Sequence, residues 1–311
     1  MSATQLNKAH IPMEMIRHLL ISAALLVLVG CAGSETISRP ESFSAAESHF
    51  ALLGTNRVHY LTAGSGRTVM VFVHGWSCNA SFWREQLPAF ADKARIILID
   101  LPGHGQSDKP QTKYTMDFFA RSVLAVLRHE HIHKAIFIGH SMGVPVICRV
   151  HAQAPDAVAA LVDVDGALRT SKLSRDEAEQ SIASWRTADY QEQMKKAVKA
   201  MFPIPGTEEL RDRVMSEMLA TPQYVIVGMA EGRWDTGQSA WELENVKVPL
   251  LVMNTRSPFY TPEYEAYARS LSARTDYRTF EGVGHFMMLE KPAMFNSALA
   301  DMLHEFNLLA Q

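Results

Sequence analysis

Between residues 68 and 165 the chain carries four short apolar runs, at 68–73, 94–100, 135–138 and 158–164, each ending in a turn-rich segment. They are apolar at nearly every position rather than at alternate ones, as in strands buried on both faces of a parallel sheet. Helical spacing lies between them. Phe82, Trp83, Leu87 and Phe90 predict a helix over about 81–90, and Phe119, Val123, Val126 and Leu127 predict another over about 115–129. Upstream, runs at 49–53 and 57–61 flank Gly54-Thr55-Asn56 and predict an antiparallel hairpin. Strands alternating with helices imply a parallel sheet with right-handed crossovers.

The alternation stops at about residue 167. From there to about 245 the pattern is helical, with segments near 175–201, 208–220 and 224–231. Trp185, Met194, Met201, Met215, Met218, Met229, Trp234 and Trp241 make this insertion apolar, enough for a small core of its own. The strand pattern returns at 248–253, followed by a helix at about 262–271, a strand at 275–280 and a C-terminal helix from about 292 to 307.

Composition changes this picture little. The 311 residues are 47% hydrophobic and 20% charged, ordinary for a globular chain, and the net charge of −3 gives no basic footprint for nucleic acid. The N-terminus adds more. Lys8, Arg17 and His18 precede an apolar run at 19–30, too short for a comfortable membrane span of roughly 20 residues and patterned as an export signal. It closes in Leu28-Val29-Gly30-Cys31, which resembles the bacterial lipobox. That resemblance implies acylation of Cys31 and, with Ala32 following, an outer-membrane lipoprotein facing the periplasm. The expected organisation is a signal peptide at 1–30, a flexible lipid-anchored tether at 31–48 and a folded domain at 49–311, with the helical insertion at about 167–245. The remaining cysteines, Cys78 and Cys148, are expected to be buried free thiols.

The chemistry centres on Gly139-His140-Ser141-Met142-Gly143, lying between a predicted strand and a predicted helix. A G-x-S-x-G turn in that context holds the serine hydroxyl out above the carboxyl edge of the sheet. A serine needs a base, and the base needs a partner that fixes its tautomer. His285, on a glycine-flanked turn after the last strand, is the best candidate. His74 and His104 are expected to bond backbone, His140 to point away from Ser141, and His129, His131 and His133 to lie on the surface. No spacing calls for a metal or an organic cofactor.

His74-Gly75-Trp76, the segment 100–108, the segment 139–143 and Gly282-Val283-Gly284-His285-Phe286 together resemble the lid-bearing α/β-hydrolase family, which includes many bacterial esterases, lactonases and haloperoxidase-like enzymes. The resemblance implies an α/β-hydrolase fold: a mostly parallel sheet flanked by helices, with a helical lid. It implies an oxyanion hole from the backbone N–H groups of Trp76 and Met142. It also implies a carboxylate after the strand at 250–253, but Asn254-Thr255-Arg256-Ser257-Pro258-Phe259 contains none. A minority of such enzymes carry the acid one strand earlier, where Asp165 stands. Asp165 is therefore the expected acid, with Asp163 the near alternative, since strand alternation gives both the same facing, and Glu263 a third. The implied chemistry is acyl transfer through Ser141 to water, on a small apolar ester or lactone. A serine-based C–C bond hydrolase, thioesterase or amidase, or a non-catalytic binding protein on the same shell, remains as an alternative.

Overall fold

The computed structural model describes residues 46–169, 175–235, 243–244 and 246–309. The signal segment, Cys31, most of the tether, Trp241 and the side chain of Trp234 lie outside the described residues.

Eight strands form one sheet in the order β1-β2-β4-β3-β5-β6-β7-β8. The hairpin β1 (Glu47–Leu53) and β2 (Asn56–Ala63) is antiparallel, and β2 pairs antiparallel with β4 (Arg95–Ile99). From β4 onward every pairing is parallel, through β3 (Val69–Val73), β5 (Ala135–His140), β6 (Val158–Val164), β7 (Leu250–Thr255) and β8 (Thr275–Phe280). The central strands are buried almost throughout, as their unbroken apolar runs require. Each fully buried Val, Leu or Ile there contributes roughly 1.5–3 kcal/mol.

Helices α1 (Met116–His129) and α2 (Gly143–Gln153) follow β4 and β5. The Thr115 hydroxyl caps α1 by accepting from the Phe118 N–H at 3.1 Å. The insertion after β6 holds α3 (Arg175–Trp185), α4 (Tyr190–Ala200), α5 (Glu208–Leu219) and α6 (Gln223–Asp235). The chain then returns through β7, α7 (Pro262–Leu271), β8 and α8 (Pro292–Glu305). Met194, Met218 and Met229 are buried, whereas Met201, Met215 and Trp185 are partly buried against the same continuous core.

Several boundaries differ from the sequence reading. The helix expected at 81–90 is a 3₁₀ turn at Ala80–Trp83 and one α-turn at Leu87–Phe90. Pro88 lacks an N–H and its ring opposes the carbonyl of Arg84, so one helix cannot run through. The helix expected at 175–201 breaks after Trp185, where Thr187 Oγ1 and Gln193 Nε2 both donate to the Ser184 carbonyl and so compete with helix propagation. The strand expected at 248–253 begins at Leu250, after Pro249, and runs on to Thr255.

Candidate active site

The parallel register sets Gly139 opposite Asp163 and His140 opposite Val164, so β5 and β6 end at one level. Ser141 and Asp165 are the next residues of each. Both adopt positive φ, 54° and 50°, a region disfavoured for residues with a Cβ. The Ser141 N–H is held by the Val164 carbonyl at 3.0 Å, and the Asp165 N–H by the Met253 carbonyl at 3.0 Å. A Cβ at Gly143 would run into the Val73 carbonyl, so glycine lets α2 begin hard against β3. A Cβ at Gly75 would come within 3.1 Å of Ser141 Cβ. The loop carrying Trp76 therefore lies directly against the serine turn. Met142 sits at the N-terminus of α2, whose dipole favours negative charge there. Among the described residues, neither the Trp76 nor the Met142 backbone N–H has an acceptor.

Asp165 and His285 are brought together. His285 Nδ1 and Asp165 Oδ2 are 2.6 Å apart, and the Asp165 side chain is only 6% exposed. Its other oxygen, Oδ1, accepts from the Thr255 N–H and the Thr255 hydroxyl, each at 2.8 Å. Burial pushes this carboxyl up, but His285 and the two Thr255 donors outweigh it and hold it below the usual carboxylate range. With Nδ1–H donating to Asp165, Nε2 is the ring nitrogen free to accept a proton. Among the described residues no hydrogen bond joins His285 Nε2 to Ser141 Oγ; such contacts commonly tighten when substrate binds.

Asp163 goes elsewhere. Its Oδ1 accepts from the Gly166 N–H at 2.8 Å, and its Oδ2 is buried without a hydrogen-bond partner among the described residues. Burial, with the nearby Asp165 charge adding to it, pushes its pKa to about 7. The shared facing expected from strand alternation ends at Val164, because the positive φ of Asp165 is not strand geometry. Glu263 is exposed in the first turn of α7, and Ser257 Oγ accepts from the Phe259 N–H of its own turn.

The other histidines divide by partner. His74 Nδ1 donates to the Gly75 carbonyl and its Nε2 accepts from the Leu101 N–H, while His104 Nδ1 donates to the Pro102 carbonyl. His140 does not simply point away. Its Nε2 donates to the His285 carbonyl at 2.9 Å, and burial, reinforced by the neighbouring His285, pushes it down to about 3, keeping it neutral. His129 Nδ1 donates to the Tyr60 hydroxyl at 2.7 Å, and that hydroxyl donates to Glu130 Oε1. Cys78 and Cys148 are buried free thiols, pushed up by burial.

Sequence patterns do not reveal three further supports. Glu290 accepts from the N–H groups on both sides of His285, Gly284 at 2.7 Å and Phe286 at 3.2 Å. The His285 N–H itself donates to the Met201 carbonyl, at the end of α4, at 3.1 Å. Trp185 of α3 packs on Trp76 with ring centroids 5.1 Å apart. The Met201 contact uses a carbonyl that any residue would supply.

This architecture and this edge define an α/β-hydrolase fold. A family profile described as the alpha/beta hydrolase fold matches residues 68–202. A thermophilic esterase from Thermogutta terrifontis superposes with a TM-score of 0.73 at 20% identity, covering 84% of this chain and 98% of that one. An enol-lactonase from Burkholderia xenovorans LB400 superposes at 0.72 and 20% identity, covering 82% and 100%. In sequence, the chain is 43% identical over 98 residues to the dihydrolipoyllysine-residue acetyltransferase component of the acetoin cleaving system of Pseudomonas putida. That match covers 32% of this chain and 26% of the relative's length.

Proposed function

We propose that the protein is a serine hydrolase that cleaves a carboxylic ester or lactone through an acyl-enzyme on Ser141. The observation that carries the reading is the 2.6 Å Asp165–His285 pair, set at the sheet edge where Ser141 emerges at positive φ beside two backbone N–H groups that have no acceptor among the described residues. In this reading His285 Nε2 takes the Ser141 proton as Oγ attacks the substrate carbonyl. Asp165 holds the imidazole tautomer and stabilises the imidazolium. The Trp76 and Met142 N–H groups stabilise the oxyanion, each contributing about 3 kcal/mol to the transition state. His285 then protonates the leaving alcohol as its bond to the acyl carbon breaks; water attacks the acyl-enzyme with His285 again as base, and His285 returns that proton to Ser141 Oγ as the acyl–Oγ bond breaks and the acid is released.

An apolar substrate fits the aromatic Trp76–Trp185 contact, next in the chain to the Gly75 that lies against Ser141, and the esterase and lactonase named above as structural neighbours. A panel of nitrophenyl esters from acetyl to long acyl tests this. Turnover by the wild-type protein and a loss of at least about 10³-fold in Ser141→Ala are expected. Equal turnover by the variant would refute the reading.

The lipobox-like Leu28-Val29-Gly30-Cys31 supports attachment of the mature chain through an acylated Cys31 to the periplasmic side of the bacterial outer membrane. Cells fed an alkyne-tagged fatty acid should label the wild-type protein and not Cys31→Ser; labelling that survives in the variant would remove the anchor.

A further inference from the structure

Strand β7, after which the resemblance implies a carboxylate that this chain lacks, ends in Thr255, and Thr255 holds Asp165. Its main-chain N–H and its hydroxyl both donate to one oxygen, Oδ1, at 2.8 Å each. The second oxygen, Oδ2, is left for His285 Nδ1 at 2.6 Å. Two donors from a single residue, on a strand locked into the sheet, fix both the position and the plane of the carboxylate. The strand is fixed by its parallel ladder: Val164 sits opposite Met253 on one side, and Thr255 opposite Phe280 on the other. Thr255 is 5% exposed and β-branched, so its hydroxyl has few rotamers to lose.

Resting on the triad reading above, we infer that Thr255 is a positioning residue for the reaction: it aims Asp165 at His285 and thereby lets β6 supply the acid although β7 carries none. The hydroxyl is the part of this device that a side-chain change can remove without disturbing the main-chain bond. Valine has nearly the shape of threonine and no hydroxyl; serine restores the hydroxyl without the methyl group.

The test compares Thr255→Val and Thr255→Ser in the full chain, in detergent, by ester kinetics and by the proton resonance of the His285 Nδ1–H. For Thr255→Val the expectation is a kcat lowered about tenfold with KM within about twofold of wild type, and a broadened or displaced Nδ1–H resonance. Thr255→Ser should recover kcat to within about threefold and restore the resonance. In an Asp165→Asn background the valine change should cost nothing further, because the two residues act as one unit. If valine prevents folding, Thr255→Ala carries the same comparison. Wild-type kcat and an unchanged resonance in Thr255→Val, or a serine variant as impaired as the valine one, would overturn the inference. The resonance separates this outcome from failure of the functional reading. If Ser141→Ala still turned over ester while Thr255→Val disturbed the His285 proton, the hydrolase mechanism would fall and the positioning role would stand.

Discussion

Above about pH 4 an unfolded chain has released the proton of an aspartate, but in the folded protein Asp163 holds its proton to about pH 7 because it is buried, with the nearby Asp165 charge adding to that. Its folded value lies above its unfolded one. Between about pH 4 and pH 7 the native state therefore binds the extra proton, and stability falls as pH rises through that window. Asp163→Asn should flatten that fall when melting temperature is followed against pH, with ester turnover largely retained. Asp165 has the opposite linkage. His285 and Thr255 overcome its burial and depress its pKa, so its contribution to stability is present above the unfolded value and lost as pH falls through the folded one. Asp165→Asn should lower kcat by about 10⁴-fold, as expected when the histidine tautomer is no longer enforced, while the protein still folds. Collapse of activity in Asp163→Asn instead would exchange their roles.

At the scale of elements, the insertion is tied to both loops that flank Ser141. The α4 end accepts from the His285 N–H through Met201, and Phe202 stacks on Phe286 with ring centroids 5.2 Å apart. On the other side, α5 reaches the loop following Trp76. Ser81 Oγ donates to Glu217 Oε2 at 2.6 Å, Arg84 Nη1 lies 3.7 Å from Glu217 Oε1, and Thr221 Oγ1 donates to the Ser77 carbonyl at 3.4 Å. Arg84 is 6% exposed, with Nε and Nη2 lacking hydrogen-bond partners among the described residues. Its guanidinium thus depends on the carboxylates of Glu217 and Glu85 for countercharge. Glu217→Gln leaves much of that charge uncompensated and weakens the tie to the insertion. Discounted for the partial exposure of Glu217, the expected cost is about 1–2 kcal/mol, seen as a melting temperature lower by about 2–6 °C. An unchanged melting temperature would show that α5 is held by its apolar contacts alone.

At the scale of the molecule, what was legible in the sequence was what backbone chemistry forces into view. Uninterrupted apolar runs marked β3, β4, β5 and β6, since a strand covered on both faces has no polar side to show. Ser141 and His285 stood out because glycines must surround turns that approach other backbone closely. Asp165 was reachable from its place at a strand end, but its separation from Asp163 needed the positive φ that ends the alternation. Thr255, Glu290 and Met201 were hidden for a different reason. They act on segments 90, 6 and 84 residues away, through hydroxyl, carboxylate and carbonyl groups that carry no spacing rule. The breaks near Pro88 and Thr187 do not show in the sequence pattern, because apolar spacing continues through positions where helical hydrogen bonding does not.

The central claim is that Ser141 is the nucleophile that His285 and Asp165 activate. Reaction of the folded domain with a fluorophosphonate, read by intact mass and peptide mapping, tests it most directly. The account predicts one phosphonyl group per chain, on the peptide containing Ser141, absent from Ser141→Ala and formed far more slowly in Asp165→Asn. A folded protein that takes up no label, or an adduct that persists in Ser141→Ala, would contradict it.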